Sequence, residues 1–196
     1  MSTTRLFAAL SLAALASVAG AQTLNTEMQR DINQETRIRD GLQSGQLNTR
    51  EAAVLQREQA HVDQLQARSL KDGRLTKAER ARIDHAQDQA SRDIARARHN
   101  GVSGNPTSAS SQRMQQAVQR DINQEKRIQQ GVQSGELSNR EVSQLERGQA
   151  RDGRQQFRTG RDDQVSAAEN HATNRAQNRQ SARIYNKKHN AVERKV

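Results

Sequence analysis

The sequence lacks cysteine and tryptophan, and it has few other aromatic residues. It contains two Phe, one Tyr and one Pro among 196 residues. The absence of cysteine excludes disulfides, thiolate metal sites and thiol redox chemistry. Because only 32% of the residues are hydrophobic, the chain also has little bulk for the thick core that normally surrounds a catalytic cleft.

Catalytic motifs are missing as well. The sequence has no G-x-S-x-G motif, no phosphate-binding loop and no two histidines three or four residues apart. A zinc site on one helical turn needs such a histidine pair. We therefore predict that the protein is not an enzyme, has no catalytic residues and needs no cofactor, with weakly bound Ca²⁺ as the one metal left open.

Residues 1–21 contain the longest apolar run. Arg5 precedes an apolar stretch from Leu6 to about Ala16, and the small residues Ala19-Gly20-Ala21 follow it. This three-part pattern predicts a cleavable secretory signal peptide. The stretch is shorter than the roughly 20 residues that a transmembrane helix needs. We expect a mature chain without a transmembrane helix, located in the periplasm of a Gram-negative bacterium or secreted.

The rest of the chain is an internal duplication built from helix-forming residues. Shifting the sequence by ninety positions aligns residues 29–60 with residues 119–150, and 20 of the 32 pairs are identical. Ala, Gln, Glu, Arg and Leu predominate, and the single proline is Pro106. This composition favours helices over strands.

The helix-breaking residues in each copy predict where its helices begin and end. Glycine and aspartate residues divide the first copy into helices at about 26–41, 49–70 and 77–99, each with one narrow apolar stripe. We predict an all-α fold of two tandem repeats, each a helical hairpin or small bundle of three amphipathic helices. The second repeat should be looser, because its middle helix carries Asp152 and extra glycines. The predicted segments are a signal peptide (1–21), repeat 1 (22–100), a flexible Gly/Ser/Asn/Pro linker (101–111), repeat 2 (112–190) and a basic tail (191–196).

One short element, Leu-Thr-x-x-Glu or a close variant, stands before the second and third helices of both repeats. Its Thr, Ser or Asn and the Glu three residues later have the spacing of a helix capping box. The same residues also fit a degenerate EF-hand calcium loop that ends in Glu with Gly at position six. On this second interpretation, the metal-binding candidates are Asp40, Ser44, Asn48 and Glu51 in one loop and Asp72, Thr76 and Glu79 in the next.

Two resemblances accompany this element. With the export pattern and the basic charge, it resembles the periplasmic chaperones of the Spy and CpxP type, which carry a repeated L-T-x-x-Q. Leu75-Thr76-Lys77-Ala78-Glu79 is the nearest match, with Glu79 where that family has Gln. The resemblance implies a concave cradle that binds protein clients. The chain is also similar to small exported helical proteins of proteobacteria that end on a basic K-H-N segment, as Lys187 to Asn190 does.

Positive charge is concentrated near the C-terminus. The chain has a formal net charge of +10, and Arg175, Arg179 and Arg183 recur at a spacing of four, which places them on one helical face. Lys187 and Lys188 follow. Such a face favours anions, so these five residues are the predicted anion-binding set. A single Tyr gives almost no base stacking, so we expect no nucleic acid partner.

These observations predict an exported helical interaction protein. It is expected to act like a chaperone on protein clients or to bind anionic envelope lipid or lipopolysaccharide, and oligomerisation is left open. The alternatives are divalent-cation binding through the EF-like loops and a structural or stress-related envelope protein without a ligand.

Overall fold

The structure is a computed structural model that describes the backbone of residues 10–190 and the side chains of residues 24–190. Over this range the chain is helical and contains no strand, which confirms the all-α prediction. The helices are α1 (Leu10–Ser44), α2 (Thr49–Ser69), α3 (Lys77–Arg98), α4 (Ala109–Ser134), α5 (Asn139–Gly160) and α6 (Ala167–Lys188). Within the described part, no helix combines the length and apolarity needed to cross a membrane.

The first helix starts earlier than the sequence pattern suggested. Helix α1 begins at Leu10 and continues to Ser44, whereas we predicted a start near residue 26. The intervening residues contain no proline, and Gly20 alone does not end a helix. Residues 1–9 of the predicted signal peptide and residues 191–196 of the predicted basic tail lie outside the described residues. Export stays a prediction.

The capping boxes are confirmed at all four predicted positions. In each, the side chain of the N-cap residue accepts a hydrogen bond from the amide three residues on, and the glutamate there accepts from the N-cap amide. The pairs are Asn48 with Glu51, Thr76 with Glu79, Ser138 with Glu141 and Ser166 with Glu169. These boxes fix where α2, α3, α5 and α6 begin.

The turn between the first two helices is repeated in both copies. Gly45 and Gly135 adopt left-handed φ angles of 75° and 78°, which favour glycine. The amide of Leu47 then donates to the carbonyl oxygen of Gly41 at 2.9 Å, and that of Leu137 donates to Gly131 at the same distance. The conserved spacing of the two glycines and the leucine in each copy therefore produces the same turn.

The two repeats bury their apolar stripes against each other. The most extensive helix contact joins α2 to α5, and the next joins α1 to α4. One apolar cluster combines Ile38 and Leu55 with Val118 and Ile122. A second combines residues of repeat 1 such as Met28 with residues of repeat 2 such as Val142. The stripes of the first two helices of each repeat therefore pack against the other repeat, whereas α3 and α6 pack on the helices of their own repeat.

Glycines of α5 lie in the contact between α2 and α5. A Cβ atom on Gly153 would lie 2.8 Å from the backbone oxygen of Gln56, and one on Gly160 would lie 2.8 Å from the Cβ atom of Ala53. We expected these glycines to loosen the second repeat. In the structure they let the two helix backbones approach closely, because no side chain separates them.

The segment between the repeats contacts the first turn. The amide of Gly104 donates to the carbonyl oxygen of Gly45 at 2.8 Å, and a Cβ atom on Gly104 would lie 2.3 Å from the backbone oxygen of Leu47. The side chain of Gln115 also donates to the carbonyl oxygen of Pro106 at 2.9 Å. The predicted linker is therefore attached to repeat 1 at its middle and to α4 at its end.

Candidate functional site

The predicted calcium-loop residues are engaged in local structure. Both carboxylate oxygens of Glu51 accept hydrogen bonds, from the amide of Asn48 at 3.0 Å and from the side chain of Asn100 at 2.6 Å. Asp40 accepts from Arg39 at 2.6 Å, and Ser44 donates to the carbonyl oxygen of Gly41 at 3.3 Å. In the second loop, Asp72 accepts from the amide of Arg74, and Thr76 and Glu79 form the capping box.

These loops do not assemble a group of carboxylates. Among the described residues, one group of three acidic side chains brings an oxygen of each within 4.8 Å of the others, and it consists of Asp63, Glu125 and Glu146. All three are buried in the middle of the bundle. The structure therefore directs attention from the loops to the interior.

The interior contains many acids and no base. Within residues 24–190, no Lys, Arg or His side chain is buried. Because a buried carboxylate normally needs a partner of opposite charge, this imbalance is unusual. The buried acids are Glu27, Asp31, Glu35, Asp63, Asp121, Glu125, Glu141, Glu146 and Asp152.

Two of these acids are held identically in the two repeats. In repeat 1, the side chains of Gln66 and Gln87 each donate to one oxygen of Asp31, the latter at 2.7 Å. In repeat 2, Gln156 and Gln177 donate to Asp121 in the same way, again with 2.7 Å for the second bond. Each aspartate on a first helix is thus bridged to the second and third helices of its own repeat.

Two of the positions at which the copies differ lie in the buried interior. In repeat 1, the side chain of Gln56 donates to Glu35 at 2.7 Å. The corresponding residue of repeat 2 is Glu146, and a carboxylate cannot donate to Glu125 in this way. Conversely, Asp63 in repeat 1 corresponds to Gly153 in repeat 2. These two differences create the group Asp63, Glu125 and Glu146, which we name the carboxylate centre.

Burial raises the pKa of these carboxyls, because a carboxylate loses its hydration in the protein interior. The pKa values of Asp31 and Asp121 rise to about 7, and that of Glu125 rises to about 8. Burial and then neighbouring carboxylates raise the pKa values of Asp63 and Glu146 well above the ordinary range. At neutral pH these buried carboxyls therefore keep their protons to a much greater extent than exposed carboxyls do.

A small cavity adjoins the carboxylate centre. Its volume is about 10 Å³, which is room for one water molecule or one ion. Carboxyls of Glu35, Asp63 and Glu125 line it together with the carboxamides of Gln59 and Gln149. All of the named lining groups are capable oxygen donors to a cation.

A second site lies on the surface, between α5 and α6. The groove there has a volume of about 580 Å³, and we name it the arginine groove. Asp152 is the acid that lines it, and burial raises the pKa of this carboxyl to about 7, while Arg151, Arg179 and Arg183 act in the opposite direction. The arginines lining the groove are Arg151, Arg154, Arg158, Arg175, Arg179 and Arg183.

Repeat 1 has an equivalent groove with different chemistry. It lies between α2 and α3 and has a volume of about 860 Å³. Most arginine positions of the second repeat are occupied here by His, Gln or Asp. The counterparts of Arg151 and Arg154 are His61 and Gln64. Those of Arg175, Arg179 and Arg183 are His85, Gln89 and Asp93.

The structure brings together three of the five predicted anion-binding residues. Arg175, Arg179 and Arg183 line the groove, whereas Lys188 pairs with Glu136 at 3.2 Å beside the turn that precedes α5. Lys187 does not line the groove either. Sequence reasoning missed the facing row on α5, Arg151, Arg154 and Arg158, although its spacing of three and four residues would have placed it on one helical face.

Comparison of the chain with protein-family models, with curated proteins and with solved structures finds no match.

Proposed function

We propose that the protein binds the phosphate groups of an anionic lipid headgroup in the arginine groove. The observation that carries this proposal is the convergence of two arginine rows from α5 and α6 on one groove. Within the described residues, none of these six guanidinium groups lies within 4.0 Å of a carboxylate oxygen. Arg158 donates one hydrogen bond to the side chain of Gln155 at 2.7 Å, and the remaining donors of the two rows are available to an external anion.

The dimensions of the rows favour a headgroup with more than one phosphate. Arg175 and Arg183 are eight residues apart, which corresponds to about 12 Å along a helix. Guanidinium groups bind phosphate oxygens in a bidentate manner, so facing rows of this length can engage two phosphates. A lipid with two phosphates fits this length better than a free phosphate ion does.

The described surface offers less to an apolar protein client. Within residues 24–190, the large hydrophobic side chains that are exposed are those of Val102 and Tyr185. A chaperone that recognises unfolded chains needs a contiguous apolar patch. Charge recognition is therefore better supported than apolar recognition.

The experiment is vesicle co-sedimentation with the full chain. Phosphatidylcholine vesicles with and without cardiolipin are compared for the wild-type protein and for the variant R175Q/R179Q/R183Q. We expect binding to the cardiolipin vesicles alone, weakened about 100-fold in the variant, since each arginine near an anionic surface contributes about 1 kcal/mol. The matched control R68Q/R74Q/R82Q removes the same charge from three other exposed arginines and should bind nearly as well as wild type.

Two further measurements distinguish a lipid phosphate from a free phosphate ion and from an acidic protein. Inorganic phosphate is added as a competitor, and suppression of the aggregation of an acidic client protein is measured in parallel. Equal loss of lipid binding in both triple variants would overturn the proposal, because net charge alone would then explain binding. Competition by phosphate at concentrations too low to screen charge would show that the groove takes the free ion instead. Client protection lost only in the groove variant, without lipid binding, would assign an acidic protein partner.

A further inference from the structure

The three acids of the carboxylate centre come from three different helices. Asp63 lies on α2, Glu125 on α4 and Glu146 on α5. An oxygen of each lies within 4.8 Å of the others. Two oxygens on opposite sides of a Ca²⁺ ion are separated by about 4.6 to 5.2 Å, so one cation fits among all three.

Unpartnered acceptor oxygens, which also occur at other buried residues of the bundle, lie at the same place. Over the described part of the chain, neither carboxylate oxygen of Glu146 has a hydrogen-bond partner, although the residue is only 1% exposed. The carboxamide oxygens of Gln59 and Gln149, which line the adjoining cavity, likewise have no partner within residues 24–190. Buried polar atoms are rarely left in this state. Since all of these atoms are acceptors, a cation can satisfy them together.

We propose that the carboxylate centre binds a single dehydrated, hard divalent cation, Ca²⁺ or Mn²⁺. The donor set consists of oxygen atoms, which suit Ca²⁺, Mg²⁺ and Mn²⁺ better than metals that prefer nitrogen or sulfur. Mg²⁺ fits poorly because it usually keeps several water molecules, and the cavity has room for about one. Asp63, Glu125 and Glu146 are the assigned ligands, and Glu35, Gln59 and Gln149 line the space beside them.

The duplication supports a specific role for this centre. If both copies had the neutral residues found at positions 56 and 153, position 146 would be Gln and position 63 would be Gly. Both departures add a carboxyl group, and both lie at the single point where the acids converge. Two additional carboxyl groups at one buried place destabilise the fold when no positive charge lies near them. A bound cation supplies this charge.

Binding exchanges protons for the metal ion. The carboxyl groups must be deprotonated to coordinate a cation, so each bound ion releases protons to the solvent. No electron transfer or covalent step is involved. Because the centre is enclosed, the ion enters when the bundle opens locally, and equilibration should be slow.

The test uses the full chain after treatment with EDTA and removal of the chelator. CaCl₂ and MnCl₂ are each titrated by calorimetry in two buffers of different ionisation enthalpy, after long incubation at each step. Electron paramagnetic resonance provides a second measure of bound Mn²⁺. We expect one ion per chain, proton release and a raised melting temperature. The absence of binding at millimolar concentrations of both metals would overturn the proposal.

The metal affinities of single-residue variants test which residues bind the ion. The variant Glu146→Gln copies Gln56 of the first repeat, so it should fold, and its metal affinity should fall by at least about tenfold, as expected when a ligand is lost. Glu27→Gln removes another buried acid outside the centre and should leave the affinity unchanged. Glu51→Gln removes a carboxylate of a predicted calcium loop and should also leave it unchanged. Wild-type affinity in Glu146→Gln, or loss in Glu51→Gln alone, would place the ion elsewhere and overturn the assignment.

A substitution at a second proposed metal ligand tests the assignment if the Glu146→Gln variant does not fold. Asp63→Asn keeps the size of its side chain and should show the same loss of affinity with unchanged helicity by circular dichroism. Retained affinity in a folded Asp63→Asn variant would also overturn the assignment. Vesicle binding is measured on the same samples, so that this site and the arginine groove succeed or fail separately.

Discussion

The side-chain nitrogen of Gln56 lies 2.7 Å from Glu35 Oε2, and this bond has no counterpart in the second repeat. There the equivalent residues are Glu146 and Glu125, and two carboxyls share the space that an amide and a carboxylate share in the first repeat. Exchanging one carboxamide for a carboxyl group changes a hydrogen-bonded contact into a repulsive one. The stability of the metal-free protein should depend on it.

The variant Glu146→Gln is expected to stabilise the metal-free protein. A carboxamide at this position removes a buried carboxyl without a partner and can donate to Glu125, as Gln56 does to Glu35. In EDTA, the free energy of unfolding should rise by about 1 to 3 kcal/mol, measured by urea denaturation. The mirror variant Gln56→Glu should lower it. A less stable Glu146→Gln variant would contradict the account of Glu146 as an unsatisfied group.

Stability should decrease as the pH rises through neutrality. The pKa values of Asp31 and Asp121 are about 7 in the folded chain, against 3.8 for an ordinary aspartate. A raised folded-state pKa contributes stability that is fully present below the unfolded value and is lost as the pH rises through the folded value. In EDTA, the free energy of unfolding should therefore fall between about pH 5 and about pH 8, by a few kcal/mol in total.

Urea denaturation at the two pH values checks this dependence. The double variant Asp31→Asn/Asp121→Asn should show a flatter profile, because the two titrating groups are absent. Equal or greater stability of the wild-type protein at the higher pH in EDTA would show that these carboxyls are charged in the folded state.

Asp152 should make anion binding by the arginine groove dependent on pH. Its pKa is about 7, so the carboxyl is mostly neutral below this value and mostly charged above it. Binding of cardiolipin vesicles should be tighter at about pH 6 than at about pH 8. The variant Asp152→Asn should bind with the tighter affinity at both. An unchanged pH profile in this variant would assign the dependence to another group.

The capping glutamates should stabilise their helices equally in the presence and in the absence of calcium. The variant Glu51→Ala removes the acceptor for the amide of Asn48 and for the side chain of Asn100, and loss of such a cap costs about 1 kcal/mol. Thermal melting followed by circular dichroism should show the same loss with and without Ca²⁺. Glu79→Ala, at the exposed capping box of α3, is the matched control. A Glu51→Ala defect that appears only in the presence of Ca²⁺ would favour the calcium-loop interpretation.

Gly153 should not tolerate alanine. Replacing glycine by alanine inside a helix usually stabilises a protein by up to about 1 kcal/mol, but a Cβ atom here would lie 2.8 Å from the backbone oxygen of Gln56. The helices must then separate, and we expect a loss of about 1 to 3 kcal/mol by urea denaturation. A stabilised Gly153→Ala variant would mean that α2 and α5 are not in close contact.

The fold could be predicted from local chemistry. The Gly45 turn and the boxes at Asn48, Thr76, Ser138 and Ser166 depend on neighbouring residues, so their spacing predicts the helix starts closely. The arginine groove could be predicted in part, because each of its two rows lies on a single helix and has helical spacing. Its second row is contributed by α5, and local patterns do not specify which helices face each other.

The carboxylate centre could not be predicted in the same way. Asp63, Glu125 and Glu146 are polar residues on amphipathic helices, and such residues are usually exposed. Their burial follows from the packing of one repeat on the other. A comparison of the two copies position by position would have shown that Gln56 and Gly153 are replaced by acids in the other copy, but not that these acids meet.

The contact between α2 and α5 has a consequence for how such a chain could have arisen. A polypeptide with one copy alone would expose its apolar stripe to water, and the simplest way to cover it is a second identical molecule related by twofold symmetry. Joining two genes for such a subunit would tether the two halves through the segment around Gly104. Once tethered, the two halves no longer have to be identical. Acids could then accumulate at one place within the former dimer interface, and two facing rows of arginines along one of the two grooves.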